Sequence, residues 1–246
     1  MLPRTLLLPH ANFAQDSLER RCATRPPFSW TGPAKKVYAI ANDGMSVHIF
    51  KYGQREIDHL KRRDKKLGAA METIGKITRE IRPDPFEALV MGIVAQQISS
   101  KAASAIRKRL HTLLGEITPE RVADTDMTAM RECGLSARKA EYIKGTADAA
   151  LRGEIDFARL HEMADVEIID QLSSLRGVGV WTAEMILLFS LSRPDVVSWG
   201  DQAIRRGMMN LYGLKSLTKE QFDRFRKRYS PYGSVASLYL WALSGM

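Results

Sequence analysis

The strongest constraint on this chain is the spacing of its apolar residues beyond about Asp64. They recur at three- and four-residue intervals in stretches of helical length, separated by short breaks. Phe86 to Ile98 is largely apolar and predicts a buried helix. Ser100 to Leu114 puts Ala103, Ile106, Leu110 and Leu113 on one face and stops at Gly115. Thr118-Pro119-Glu120 reads as a helix start with proline in the first turn. Ser136 is placed to cap a helix carrying Ala140, Ile143, Ala147 and Leu151, ending near Gly153. Asp165 precedes a helix with Ile168, Ile169 and Leu172, and Thr218 with Gln221 forms a capping box that opens a basic helix. The last helix runs through Val235, Leu238, Tyr239 and Trp241. With roughly ten helices and no sustained strand–helix alternation, the expected fold class is mainly α.

Residues 1–60 read differently. Val37–Ala41 and Met45–Phe50 are short apolar stretches around Asn42-Asp43-Gly44, the signature of a β-hairpin. The expected division is a small β-containing region over 1–60 and an all-α body over 61–246, the latter as one unit or as two helical subdomains flanking a cleft.

Composition removes several classes. No apolar run approaches the roughly 18–20 residues that span a bilayer, so no membrane partner is expected. Pro3, Pro9 and His10 interrupt the early leucines too soon for a signal peptide, which predicts an intracellular protein. Two cysteines, Cys22 and Cys133, are too few for a disulfide framework or a four-cysteine metal site. The five histidines lack the spacing of a helical metal pair. With 37 Lys and Arg against 28 Asp and Glu, the formal charge of +9 favours a polyanionic partner.

The most informative stretch is Leu172-Ser173-Ser174-Leu175-Arg176-Gly177-Val178-Gly179-Val180-Trp181-Thr182-Ala183. A helix ends near Ser174, a tight Gly-x-Gly turn follows, and an apolar helix runs from Trp181 to Leu191. Glycines allow positive φ and close approach of another chain, and the first amides of the second helix point outward without intrahelical partners. That combination suits a phosphate and ignores base identity; an isolated Gly-x-Gly also closes an ordinary corner between helices. The second landmark is Asp201, at a predicted helix mouth. Asp is a good N-cap, and a capping carboxylate is also held in a fixed position.

Leu-x-x-Leu-x-Gly-x-Gly-x-x-Thr-Ala resembles a DNA-binding helix–hairpin–helix. Together with Asp84-Pro85-Phe86-Glu87-Ala88-Leu89, Ala95-Gln96-Gln97-Ile98-Ser99, Gly134-Leu135-Ser136-x-x-Lys139-Ala140 and Asp201, it makes roughly residues 64–246 similar to the helix–hairpin–helix base-excision DNA glycosylases, in particular those acting on 3-methyladenine. The resemblance implies the helical fold of that family and a substrate of damaged double-stranded DNA. A small enzyme that scans duplex DNA can act as a monomer, which is the expected state.

Residue roles follow from the same resemblance. Asp201 is the implied catalytic carboxylate, stabilising positive charge on the deoxyribose as the glycosidic bond breaks. Bifunctional relatives carry a lysine two positions after the second hairpin glycine. This chain has Trp181 there, which implies a monofunctional enzyme that leaves an abasic site. Trp181 and Trp241 match aromatic walls of a pocket for cationic alkylated bases, although Trp241 also fits plain core packing. Met185 lies one turn after Trp181, where a close relative has tyrosine. Gln97, or Gln96 beside it, matches the group that wedges into the gap left by a flipped nucleotide. Gly177, Gly179 and Thr182 match the phosphate-holding turn. The backbone carbonyls of Ser173, Leu175 and Gly177 match those that bind a monovalent cation, Na+ or K+; no cofactor is otherwise required.

The last 46 residues hold eight Lys and Arg against three Asp and Glu. Arg205, Arg206, Arg224, Arg226, Lys227 and Arg228 could track a DNA backbone or form a solvated helix face. Arg176 stands where the hairpin often has proline. Two other readings remain open at this level. One is a glycosylase for oxidised or deaminated bases, to which Met185 leaves room; the other is a non-catalytic hairpin module, against which Asp201 speaks.

Overall fold

The computed structural model describes residues 48–245. Among these residues there are twelve α-helices and one two-stranded sheet. The mainly α fold class is therefore correct. The sheet pairs β1 (His48–Ile49) with β2 (Glu80–Ile81) antiparallel, with His48 opposite Ile81. The expected hairpin partner, Val37–Ala41, lies outside the described residues. The partner found, β2, carries no alternating apolar signal that could have announced it.

Helices begin earlier than the apolar pattern suggested. α1 (Gln54–Arg63) is almost entirely polar and buries only Leu60, so its sequence gives little periodicity. α2 (Lys65–Ile74) follows at once, because Asp64 ends one helix and caps the next through a bond from the Leu67 amide. Residue 60 thus lies inside α1, and a boundary at 60/61 would cut a helix. Phe50 and Leu60 already belong to the helical body.

α3 (Pro85–Ala95), α4 (Ser100–Leu114), α5 (Pro119–Asp124), α6 (Met127–Glu132) and α7 (Ala137–Leu151) come next. Their caps are Asp84, Ser99, Thr118, Asp126 and Ser136, each accepting a bond from a first-turn amide. α8 (Asp165–Ser173), α9 (Val180–Phe189), α10 (Gln202–Tyr212), α11 (Lys219–Tyr229) and α12 (Gly233–Leu243) complete the order. Thr218 and Gln221 form the expected capping box. α8 is capped one residue before Asp165, at Ala164, whose amide bonds to Glu167.

Two hydrophobic clusters organise these helices. One gathers side chains of α3 to α9 around Leu89, Leu110, Ile143, Leu172 and Leu188, and the other gathers α1, α2 and α10 to α12 around Leu60, Ile204, Phe222 and Tyr239. Phe189 and Trp241 pack against both. The seam between the clusters therefore runs along the C-terminal part of α9, and the site is built on that helix. α10 and α12 meet through Gly207, where an added Cβ would stand 1.9 Å from the Leu240 carbonyl oxygen.

Candidate active site

The turn between α8 and α9 is anchored from below and open above. Leu172 and Val178 are buried, and the Val178 amide bonds back to the Leu175 carbonyl at 3.1 Å. Gly177 has φ +84°, and a Cβ there would lie 2.1 Å from the Tyr142 ring. Glycine is required twice at this position, by dihedral and by space. Gly179 caps α9 in an extended conformation, and no side chain closes the helix mouth. A Cβ on Gly179 would meet nothing within 4 Å. The first-turn amides of α9 thus face an unobstructed approach, as an anion needs.

Thr182 differs from expectation. It is buried, and its methyl lies 3.8 Å from where a Gly92 Cβ would be. The side chain packs α9 against α3, so only its backbone amide is available to a phosphate.

The expected wedge lies beside this turn. The apolar run predicted helix to Ile98, but α3 stops at Ala95 because Gln96 leaves helical geometry and Gln97 takes φ +57°. Gln97 is exposed at the tip of the loop. Gln96 is half-buried, and its Nε2 donates to the Gly177 carbonyl at 3.0 Å. The two glutamines therefore do different things: Gln97 projects and Gln96 ties the loop to the hairpin.

Asp201 caps α10 and is buried, with 5% of its surface exposed. Its Oδ1 accepts the amides of Ala203 at 2.8 Å and Ile204 at 2.9 Å, while Oδ2 accepts Trp181 Nε1 at 3.0 Å. Three donors converge on one carboxylate, a charge-assisted arrangement that fixes its orientation. The preceding loop is pinned as well. Ser234 Oγ accepts the Val196 amide at 3.0 Å, Ser237 Oγ donates to the Val196 carbonyl at 2.8 Å, and Ser198 Oγ donates to Glu184. Burial pushes the Glu184 carboxyl above its ordinary value, and the charge of Asp201 adds to the rise against the opposing Ser198 bond and Arg226. Glu184 lies in an apolar helix, and nothing in the sequence pattern distinguished it from a solvent-facing acid.

Trp181, Met185 and Phe189 are spaced by four on α9, and all are partly exposed. Trp241 stacks on Phe189 with centroids 5.4 Å apart and planes 27° apart. Arg79 lies over the Phe189 ring, 4.7 Å from its centroid. Trp181 is thus brought directly to Asp201. Trp241 is joined to the row through Phe189, about 12 Å further along α9 at 1.5 Å per residue. Phe189 was missed by motif reading, though its spacing from Trp181 and Met185 was the available signal.

The basic residues separate into two groups. Arg228 turns inward to Asp64 at 3.2 Å, and Arg205 lies over Trp199 at 4.9 Å. Arg206, Arg224, Arg226 and Lys227 are exposed. Of the carbonyls expected around a monovalent cation, that of Leu175 accepts the Val178 amide and that of Gly177 accepts Gln96 Nε2. Each carbonyl oxygen retains a second lone pair, so these hard oxygen donors fit Na+ or K+. Among the described residues no group of three or more His, Cys, Asp or Glu could hold a metal, and no helix is long and apolar enough to cross a membrane.

A helix–hairpin–helix turn, a loop held against it and a clamped carboxylate at the next helix mouth form one contiguous region. Residues 90–231 match the HhH-GPD superfamily of base excision DNA repair proteins, and the chain belongs to that family. It is 37% identical over 168 residues to DNA-3-methyladenine glycosylase 1 of Schizosaccharomyces pombe, covering 66% of this chain and 74% of that one. The crystal structure of a DNA-3-methyladenine glycosidase from Bacillus halodurans superposes with a TM-score of 0.71 at 36% identity, covering 82% of this chain and 94% of that one. The S. pombe 3-methyladenine DNA glycosylase in complex with abasic DNA gives a TM-score of 0.70 at 33% identity, over 78% of this chain and 98% of that one.

Proposed function

We propose that this protein is a monofunctional DNA glycosylase that hydrolyses the N-glycosidic bond of alkylated purines of the 3-methyladenine and 7-methylguanine type, flipped out of damaged duplex DNA. The observation that carries this reading is the Asp201 carboxylate, held by two amides and the Trp181 indole. As the bond from C1′ to the base breaks, its electron pair leaves with the base and positive charge grows on the sugar. A fixed, buried carboxylate beside that sugar stabilises the developing cation. Water then adds to C1′ and loses a proton, with Asp201 placed to orient it, and an abasic site remains.

The other residues support each part of this cycle. The open amides of the Gly177–Gly179 turn hold a backbone phosphate, and a cation on the Ser173, Leu175 and Gly177 carbonyls would add positive charge beneath it. Gln97 fills the gap in the stack, offsetting part of the few kcal/mol that extrusion costs. Trp181 and Met185, with Trp241 further along, offer electron-rich and polarisable surface to a cationic base. Trp181 occupies the position from which a lysine would attack the sugar, so no Schiff base forms and no strand cleavage follows. The enzyme acts as an intracellular monomer and needs no other cofactor.

The test is base release from methylated duplex DNA by the wild type and by Asp201→Asn, with nicks scored before and after alkali. Release of 3-methyladenine or 7-methylguanine by the wild type alone, with nicks only after alkali, supports the reading. Nicks without alkali, or a borohydride-trapped adduct, would refute the monofunctional assignment. DNA binding without release of either base would refute the alkylpurine substrate.

A further inference from the structure

We infer that Lys139 is a positioning residue for base flipping, which sets the backbone of the Gln96–Gln97 loop and acts through it without touching DNA. The inference rests on the proposed reading of that loop as the wedge. Lys139 Nζ donates to the Val94 carbonyl at 2.8 Å and to the Gln96 carbonyl at 2.6 Å. Val94 lies in the last turn of α3 and Gln96 just past its end, where carbonyls lack intrahelical partners and face the negative end of the helix dipole. An ammonium placed there satisfies two of them at once and permits an abrupt end to the helix. Immediately afterwards Gln97 takes φ +57°, an uncommon conformation for a residue with a side chain.

The same face of α7 supports the second DNA-facing turn. Tyr142, one turn after Lys139, fills the space that a Gly177 side chain would need. Gln96 Nε2 closes the triangle by donating to the Gly177 carbonyl at 3.0 Å. The phosphate-holding turn and the wedge loop are therefore referenced to one helix, and Lys139 is the charged contact between that helix and the wedge. Lys139 is half-buried, and desolvation lowers its pKa from the ordinary lysine value.

The chain contains its own control. Lys144, on the same helix, donates to the carbonyls of Ala123 at 2.5 Å, Thr125 at 2.7 Å and Val122 at 3.3 Å. It performs the same chemistry at the end of α5, away from the hairpin and the wedge.

The experiment compares Lys139→Met, Lys139→Arg, Lys144→Met and Gln97→Ala in the full chain. Melting temperature, single-turnover base release at saturating enzyme, and the salt dependence of binding are measured on a duplex with one 7-methylguanine and an adjacent 2-aminopurine. Lys139→Met should lower the 2-aminopurine flipping signal and slow release by about tenfold or more, as expected from a misplaced group. Its salt slope should be unchanged, and Lys139→Arg should recover much of the rate. Lys144→Met should lose stability without loss of flipping. A salt slope smaller by about 0.9 in Lys139→Met would identify a phosphate contact and overturn the proposal. So would flipping at the wild-type level in Lys139→Met. If Gln97→Ala flips normally, the wedge reading itself fails; if only Lys139→Met does, the clamp fails alone.

Discussion

Replacing Asp201 by Asn isolates the charge of the carboxylate from its structural role. The retained oxygen can still accept the Ala203 and Ile204 amides at 2.8 and 2.9 Å, and Asn caps helices about as well as Asp. The other oxygen becomes an NH2 group facing Trp181 Nε1–H, a donor against a donor where a 3.0 Å bond stood. Losing a hydrogen bond to a charged group costs roughly 1.5–3 kcal/mol. At about 2–4 °C per kcal/mol for a domain of this size, the melting temperature should fall by roughly 3–12 °C, leaving a folded protein. The effect on chemistry is larger. A unit charge about 4 Å from a developing sugar cation, at an effective dielectric near 20, contributes about 4 kcal/mol. That corresponds to roughly a thousandfold in rate. Single-turnover release from methylated duplex should fall by that order, while anisotropy on a duplex with a stable abasic analogue should show affinity unchanged within about threefold, since Asp201 is not a phosphate contact. A folded Asn variant that releases base within tenfold of the wild-type rate would refute the electrostatic argument.

Gly179→Ala meets open space within the protein, so its unfolding free energy should change by no more than about 1 kcal/mol, whereas its DNA affinity should drop; equal affinity for duplex in a binding titration would show that no backbone approaches this turn. Gly207→Ala places a methyl on the Leu240 carbonyl and should cost about 3 kcal/mol or more in urea unfolding, an outcome that a neutral variant would contradict. Glu184 has a folded-state pKa raised by burial, so the native state binds more protons than the unfolded state once the pH exceeds about 4.3. Its contribution to stability is therefore full at lower pH and lost as the pH rises through the raised value. Glu184→Gln, which keeps an acceptor for Ser198, should remove that decline, and parallel stability–pH curves for the two proteins would disprove the assignment.

The helical body was legible because local rules and burial agree over most of it. Thr118, Ser136 and Thr218 cap where their sequence positions predict. Ile106, Ile143 and Leu172 are buried as their faces predict, whereas Leu113 and Leu151, assigned to the same faces near the helix ends, are exposed. α1 was missed because a surface helix with one buried residue leaves almost no periodic trace. β2 was missed because a two-residue strand is defined only by its partner.

The candidate site divides along the same line. Asp201 and the hairpin glycines were readable from the chain, since a capping carboxylate and a Gly-x-Gly turn are local demands of the backbone. The sequence also determined the absence of a lysine at position 181. Only the tertiary structure decided that Trp181 bonds the carboxylate, that Thr182 faces inward, that Gln96 and Gln97 part ways, and that Arg228 serves Asp64. Each of these depends on a partner many positions distant, from 20 residues between Trp181 and Asp201 to 164 between Asp64 and Arg228. A side chain's own type and its neighbours fix what it can donate, accept or bury; which group it finds is settled when helices from both clusters meet along α9.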